Sequence, residues 1–138
     1  MFMRVTLDEG AFMPERAYDT DAGLDLKTPI DFVVPAHGFA FVDTGVHVEL
    51  PMGTRGHICS KSGLNRYHGL FTDGTIDISY RGSIGVTIHN DSDEDYHFVR
   101  GNKVAQLVVE KIMLVRPTLV KTLAAGERGD SGYGSTGA

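Results

Sequence analysis

At 138 residues, with 41% apolar content and a mean hydropathy of -0.10, the chain has the length of one domain and enough apolar residues to bury a core without disulfide or metal staples. Thirteen basic residues against 18 acidic ones leave a net charge of -5, which argues against a nonspecific nucleic-acid binder, whose affinity comes from a basic excess. No apolar run reaches the roughly 18 residues of a membrane helix, the N-terminus has no secretory-signal pattern, and the single Cys59 excludes an internal disulfide or a multi-cysteine zinc site, so the expected setting is cytoplasmic, without membrane or nucleic-acid partners.

Strand-like patterns dominate in chain order. Short candidates lie at 3–7 and 30–34. Phe39 and Phe41 then alternate with Ala40 and Val42, and Val46, Val48 and Leu50 alternate with His47 and Glu49. Residues 55–60 are another candidate, followed by a weak helical stretch over Ser62–Tyr67. Ile84, Val86 and Ile88 repeat the period of two, and 95–99, 103–110 and 112–121 complete the set. Turn residues punctuate these runs at 35–38, 51–53 and 90–93, and Asp73-Gly74 reads as a hairpin turn. Many short strands at this spacing predict an all-β sandwich, jelly roll or barrel over 1–125. Glycine, at 17 residues, is about twice its average usage, and the tail 126–138 is rich in it with almost nothing to bury. Composition makes that tail either a disordered end or a flexible flap that orders over an anion.

Four segments carry candidate chemistry. In Asp21-Ala22-Gly23-Leu24-Asp25-Leu26, Asp25 faces away from both leucines, as a solvated strand residue or as a carboxylate holding a metal's water shell. Lys61-Ser62-Gly63 puts a cation, a hydroxyl and a glycine amide together, which suits phosphate oxygens or an ordinary turn. In Gly74-Thr75-Ile76-Asp77-Ile78-Ser79-Tyr80, Asp77 is a charge in a strand-forming context, with Tyr80 placed to cover a ligand that Asp77 touches. Gln106 is an amide inside the apolar run 104–109, so it must find partners. His37, His47 and His57 recur every ten residues; a metal site needs them to converge with a fourth ligand, and solvent-facing strand histidines are the ordinary outcome.

Taken in order, DAGLDL at 21–26, KSGL at 61–64, GTIDISYRG at 74–82, GNKVAQL at 101–107 and RGDSGYGSTG at 128–137 resemble the five motifs of the trimeric deoxyuridine triphosphatase (dUTPase) family. The resemblance implies a β jelly roll assembled as a homotrimer, with each active site drawing motifs from all three subunits. It implies hydrolysis of dUTP to dUMP and pyrophosphate, water attacking the α-phosphorus and Mg2+ on the triphosphate. Asp77 matches the residue that orients the water and contacts the 3′-hydroxyl, and Tyr80 the aromatic packed on the sugar. The hairpin around 71–77, with Phe71, Gly74, Thr75 and Ile76, and Gly85 would face the uracil. Lys61, Ser62, Gly63 and Gln106 match phosphate-binding positions, and Asp25 matches the acid reaching magnesium through water. In the flap, Arg128, Ser135 and Thr136 would hold the γ-phosphate while Tyr133 stacks on the base, and Gly134 would also bind substrate.

The chain departs from the family pattern in places. Lys61 and Lys103 stand where arginine is frequent, Asn102 where an acid is, Phe71 where many members have an asparagine, and Ser131 and Tyr133 where Gly and Phe are common. An aspartate is a weak base, so Asp77 is expected to act chiefly by placing one water in line. Two rivals share the fold or the pocket. A dCTP deaminase would need a glutamate where Asp77 stands, and a regulatory trimer would bind nucleotide without turnover and signal to a protein partner.

Overall fold

The computed structural model describes residues 1–137; Ala138, the last residue of the expected flap, lies outside the described residues. The elements are β1 (Arg4–Leu7), β2 (Gly23–Lys27), β3 (Phe32–Val34), β4 (Phe39–Asp43), β5 (Val46–Glu49), β6 (Thr54–Cys59), α1 (Ser62–His68), β7 (Leu70–Phe71), β8 (Asp73–Ile76), β9 (Gly85–Asn90), β10 (Tyr96–Phe98) and β11 (Lys103–Lys111). All pairings between these strands are antiparallel. They form a four-stranded sheet β2-β11-β6-β8, a three-stranded sheet β4-β9-β7, and the two-stranded ribbons β1-β5 and β3-β10. The architecture is the expected all-β jelly roll.

The period-two patterns account for the core. Val46 and Val48 of β5, Val86 and Ile88 of β9, and Ile58 of β6 point inward and are buried with Leu26, Val34, Val42, Leu70, Ile84, Phe98, Val104 and Leu107. Each such side chain contributes about 1.5–3 kcal/mol of transfer free energy, enough in sum to hold short strands that are individually marginal. On β4 it is Val42 that goes inside, so Phe39 and Phe41 stand exposed on the outer face. The helix expected over Ser62–Tyr67 is present as α1.

Two expectations are corrected. Asp73-Gly74 is not a turn: both residues lie in β8, opposite Cys59 and Ile58 of β6, and α1 with β7 makes the connection a hairpin would have made. The chain reverses later, where the Tyr80 amide donates to the Asp77 carbonyl at 3.0 Å. Residues 112–121 form no strand. The Ile112 amide bonds Gly53 at 3.0 Å, but β11 already has β2 and β6 on its two sides, and Pro117 removes a ladder donor.

Candidate active site

Chemistry-bearing residues gather in two places. The first is a cavity of about 280 Å³ lined by Phe41, Thr75, Ile76, Asp77, Tyr80, Ser83 and Gly85. β8 delivers Thr75 and Ile76 to its wall, and Asp77 follows at the strand's end. The tight turn after Asp77 brings Tyr80 back beside it, because the Asp77 carbonyl takes the Tyr80 amide proton. The Asp77 side chain is exposed, and its carboxylate has no hydrogen-bond partner among the described residues, leaving it able to accept from water or a ligand hydroxyl. Opposite, the Phe41 ring lies over Gly85. A Cβ on Gly85 would stand 2.3 Å from the ring, so only glycine lets the aromatic and the β9 main chain approach this closely.

The second place is the other edge of the four-stranded sheet, at β2. Asp25 faces away from the core yet is only 5% exposed. The Lys61 ammonium meets one of its oxygens, and the Lys103 ammonium the other at 2.7 Å. Burial pushes the Asp25 carboxyl up, but the two lysines together outweigh it and hold the pKa below its ordinary value. Gln106, whose strand neighbours are Asp25 and Cys59, donates to the Ser60 carbonyl at 3.0 Å. That bond fixes the approach to α1, where Ser62 and Gly63 are exposed just past Lys61. The cluster therefore offers two cations, an amide and a hydroxyl around one buried anion, a set suited to phosphate oxygens.

A divalent cation would find a single carboxylate here, and among the described residues no group of three His, Cys, Asp or Glu side chains converges. An ionised carboxylate has about four acceptor sites, and the lysines use only part of them. The donor set fits a hydrated cation brought in by an anionic ligand and held by Asp25 from outside its waters. The three histidines do not converge either. His37 bonds Asp93 at 2.7 Å, His47 bonds Asp8 at 3.0 Å, and His57 bridges Asp73 and Glu110 at 2.7 and 3.2 Å.

Not every expected residue joins these groups. Gly74 lies in β8 behind the cavity wall, against Ile58. Phe71 sits on β7 beside Lys61, Leu64 and Leu70, away from the Asp77 cavity. Arg128, Tyr133, Gly134, Ser135 and Thr136 are exposed, and the hydrogen bonds described for their segment are local turns such as Ser131 to Arg128 and Ser135 to Gly132. Three contributors went unassigned in the sequence: Phe41 and Ser83 on the cavity wall, and Lys103 on Asp25. A pair of aromatics two apart on β4, facing away from Val42, was the available signal for Phe41.

The two groups occupy opposite edges of one sheet. Asp25 is on β2 and Asp77 follows β8, with β11 and β6 between. Three inter-strand spacings separate the edges by about 14 Å.

A model of the dUTPase family matches residues 9–137. The chain is 40% identical over 134 residues to the deoxyuridine 5′-triphosphate nucleotidohydrolase of Clostridium tetani, covering 95% of this chain and 92% of that one. It is 42% identical over 137 residues to that of Corynebacterium glutamicum, covering 96% and 92%. Among solved structures it resembles the dUTPase of Staphylococcus bacteriophage 80alpha with dUPNHPP, with a TM-score of 0.93, 29% identity and 99% of each chain covered. It also resembles a mutant dUTPase from phage phi11 of S. aureus whose structure reveals the coordination of a structural Mg(II) ion, with a TM-score of 0.82, 29% identity and 88% and 98% covered.

Proposed function

The chain belongs to the dUTPase family, hydrolases that act on deoxyuridine 5′-triphosphate, and from that premise we propose how its own residues convert dUTP and water to dUMP and pyrophosphate. The observation that carries the reading is the cavity in which Asp77, Tyr80, Thr75, Ile76 and Gly85 meet. The deoxyuridine occupies this cavity. Its uracil edge faces the main chain of Thr75, Ile76 and Gly85, and its sugar packs on Tyr80. Asp77 accepts hydrogen bonds from the water and from the 3′-hydroxyl, holds the water on the line of attack at the α-phosphorus, and takes the water's proton as the new P–O bond forms. The α–β phosphoanhydride bond breaks and pyrophosphate leaves.

Lys61, Ser62, Gly63 and Gln106 bind the phosphates and meet the negative charge that develops on them. Asp25 keeps Lys61 and Lys103 oriented and would be the carboxylate that holds Mg2+, through water. When bound, the magnesium neutralises phosphate charge as a Lewis acid. Because the Asp25 and Asp77 groups stand at opposite edges of one sheet, we assign them to sites shared between copies of a homotrimer. The domain 1–125 supplies both groups, and the flap 126–138 of a third copy closes over the nucleotide, with Arg128, Gly134, Ser135 and Thr136 on the γ-phosphate and Tyr133 on the base. Phe71, beside Lys61, belongs to the phosphate side of the site and not to the base pocket. No helix among the described residues is long and apolar enough to cross a membrane. The lone free Cys59 suits a reducing compartment, and the cytoplasm is the proposed one.

Pyrophosphate release from dUTP, dCTP, dTTP and UTP in parallel, with Mg2+ present, tests the reading. Release from dUTP alone is expected. Ammonia release from dCTP would mark a deaminase, and tight dUTP binding with no pyrophosphate would mark a regulatory nucleotide-binding trimer.

A further inference from the structure

We propose that Asp43 is a positioning residue for sugar recognition, acting through Ser83 on Tyr80. The inference rests on the reading above that Tyr80 packs on the deoxyribose. Asp43 ends β4, directly across from Gly85 on β9. Its Oδ1 accepts from the Ser83 hydroxyl and, at 3.0 Å, from the Gly45 amide. The Ser83 carbonyl in turn accepts the Tyr80 hydroxyl at 2.9 Å. The ring reaches that carbonyl by lying across Gly82, where a Cβ would stand 2.3 Å from the Tyr80 Oη. The chain therefore runs from a carboxylate on β4, through a serine, to the hydroxyl of the aromatic on the cavity wall.

The neighbouring ties explain why Asp43 matters at this point. Ile84 is anchored by its own main chain: its carbonyl takes the Thr44 hydroxyl at 2.7 Å and the Thr44 amide at 3.0 Å, and its amide bonds Val46 at 2.8 Å. Ser83, one residue earlier, has its side-chain fastening at Asp43. Hydrogen bonds to an ionised carboxylate are the stronger kind, and here one fixes the residue whose carbonyl aims the tyrosine. Rejecting a ribose requires a wall that does not yield to one added oxygen. Tyr80 and Ser83 are both on that wall, so a Ser83 released from Asp43 gives the wall freedom to yield.

The test is kcat/KM for dUTP and for UTP, measured on the full chain and on D43A, D43N, S83A and the D43A/S83A double variant, with melting temperatures alongside. D43A is expected to raise the UTP-to-dUTP ratio about tenfold, S83A to do the same, and the double variant to add nothing further. D43N, which retains an acceptor oxygen, is expected to recover at least half of the lost discrimination. An unchanged ratio in a folded D43A, additive effects in the double variant, or equal effects of D43N and D43A overturn the proposal. If D43A does not fold, a wild-type ratio in S83A overturns it instead. A wild-type chain that releases no pyrophosphate from dUTP sinks the functional reading itself, whereas a dUTP-selective wild type with an unmoved ratio sinks only the role of Asp43.

Discussion

The Lys103 ammonium stands 2.7 Å from one oxygen of the buried Asp25 carboxylate, while Lys61 holds the other. Burial alone would raise this carboxyl, but the two lysines leave it below its ordinary 3.8. A carboxylate depressed on folding stabilises the protein above its unfolded pKa and loses that contribution as pH falls through the folded value. The melting temperature of the wild type is therefore expected to drop steeply below about pH 4. Asp25→Asn is expected to flatten that acid limb and to cost about 1.5–3 kcal/mol at pH 7, since it leaves two ammoniums facing a neutral amide. Thermal melts from pH 3 to 7 check both; an unchanged acid limb would show the pairing to be idle.

His57 shows the opposite sign. Asp73 first, and Glu110 second, raise its pKa above 6.5, against burial and the nearby Arg55, which lower it. A histidine raised on folding contributes stability that is complete below its unfolded pKa and disappears as pH climbs through the folded one. The wild type is expected to melt higher at pH 6 than at pH 8.5 by a margin that His57→Gln narrows, the remainder coming from His47, which its bonds to the Arg81 carbonyl and Asp8 also raise. The same bridge ties β8, which leads into Asp77, to β11 across β6, so the loss should loosen amide protection at residues 73–76 as well. Hydrogen exchange at the two pH values reads this directly.

The contact of Phe41 with Gly85 yields a paired test. Gly85→Ala places a methyl 2.3 Å from the ring and must displace either the aromatic or β9. Under the proposed function, KM for dUTP is expected to rise about tenfold or more, with kcat less affected, because the base wall is distorted before the chemistry. Trimming the ring in a Gly85→Ala, Phe41→Ala double variant is expected to recover part of the loss. A double variant whose loss equals the sum of the two singles would mean that the methyl acts elsewhere.

What could be read in advance follows from how the parts are connected. Thr75, Ile76, Asp77 and Tyr80 sit within one strand and the turn after it, so a contiguous segment announces them. Asp25 and Lys61 likewise lie in short local patterns. Phe41 reaches the cavity, and Asp43 reaches Ser83 on its wall, only through the β4–β9 register, a long-range pairing that no local pattern encodes. Lys103 meets Asp25 because the register of β11 against β2 shifts between Lys103 and Ala105, and a one-residue irregularity of that kind leaves no mark in hydropathy. The error at Asp73-Gly74 has the same origin. Its composition suits a turn, but pairing with β6 overrides local preference.

The proposed role of Asp77 separates binding from turnover. Asp77→Asn keeps the size and most hydrogen-bonding capacity of the side chain but removes its charge and its ability to accept a proton. The expected result is a loss of kcat of at least about a thousandfold, with dUTP affinity within a few-fold of wild type. Isothermal titration with a non-hydrolysable analogue, beside pyrophosphate release, checks the two halves. Full activity in Asp77→Asn would remove the residue from the chemistry.

The described residues of the glycine-rich tail, 126–137, pack nothing into the core, and the bonds described within it are isolated turns such as Gly129 to Gly126 and Gly137 to Gly134. Removing residues 126–138 is thus expected to leave the melting temperature and the oligomeric state unchanged. If Arg128, Ser135 and Thr136 meet the γ-phosphate and Tyr133 covers the base, the truncated chain should lose about a hundredfold or more in kcat, since donors that act on developing charge are missing. Sedimentation and melting of the truncated protein, with its dUTP turnover, decide the matter. Normal turnover would make the segment a mere terminus, and loss of the assembly would make it a structural strap and no flap at all.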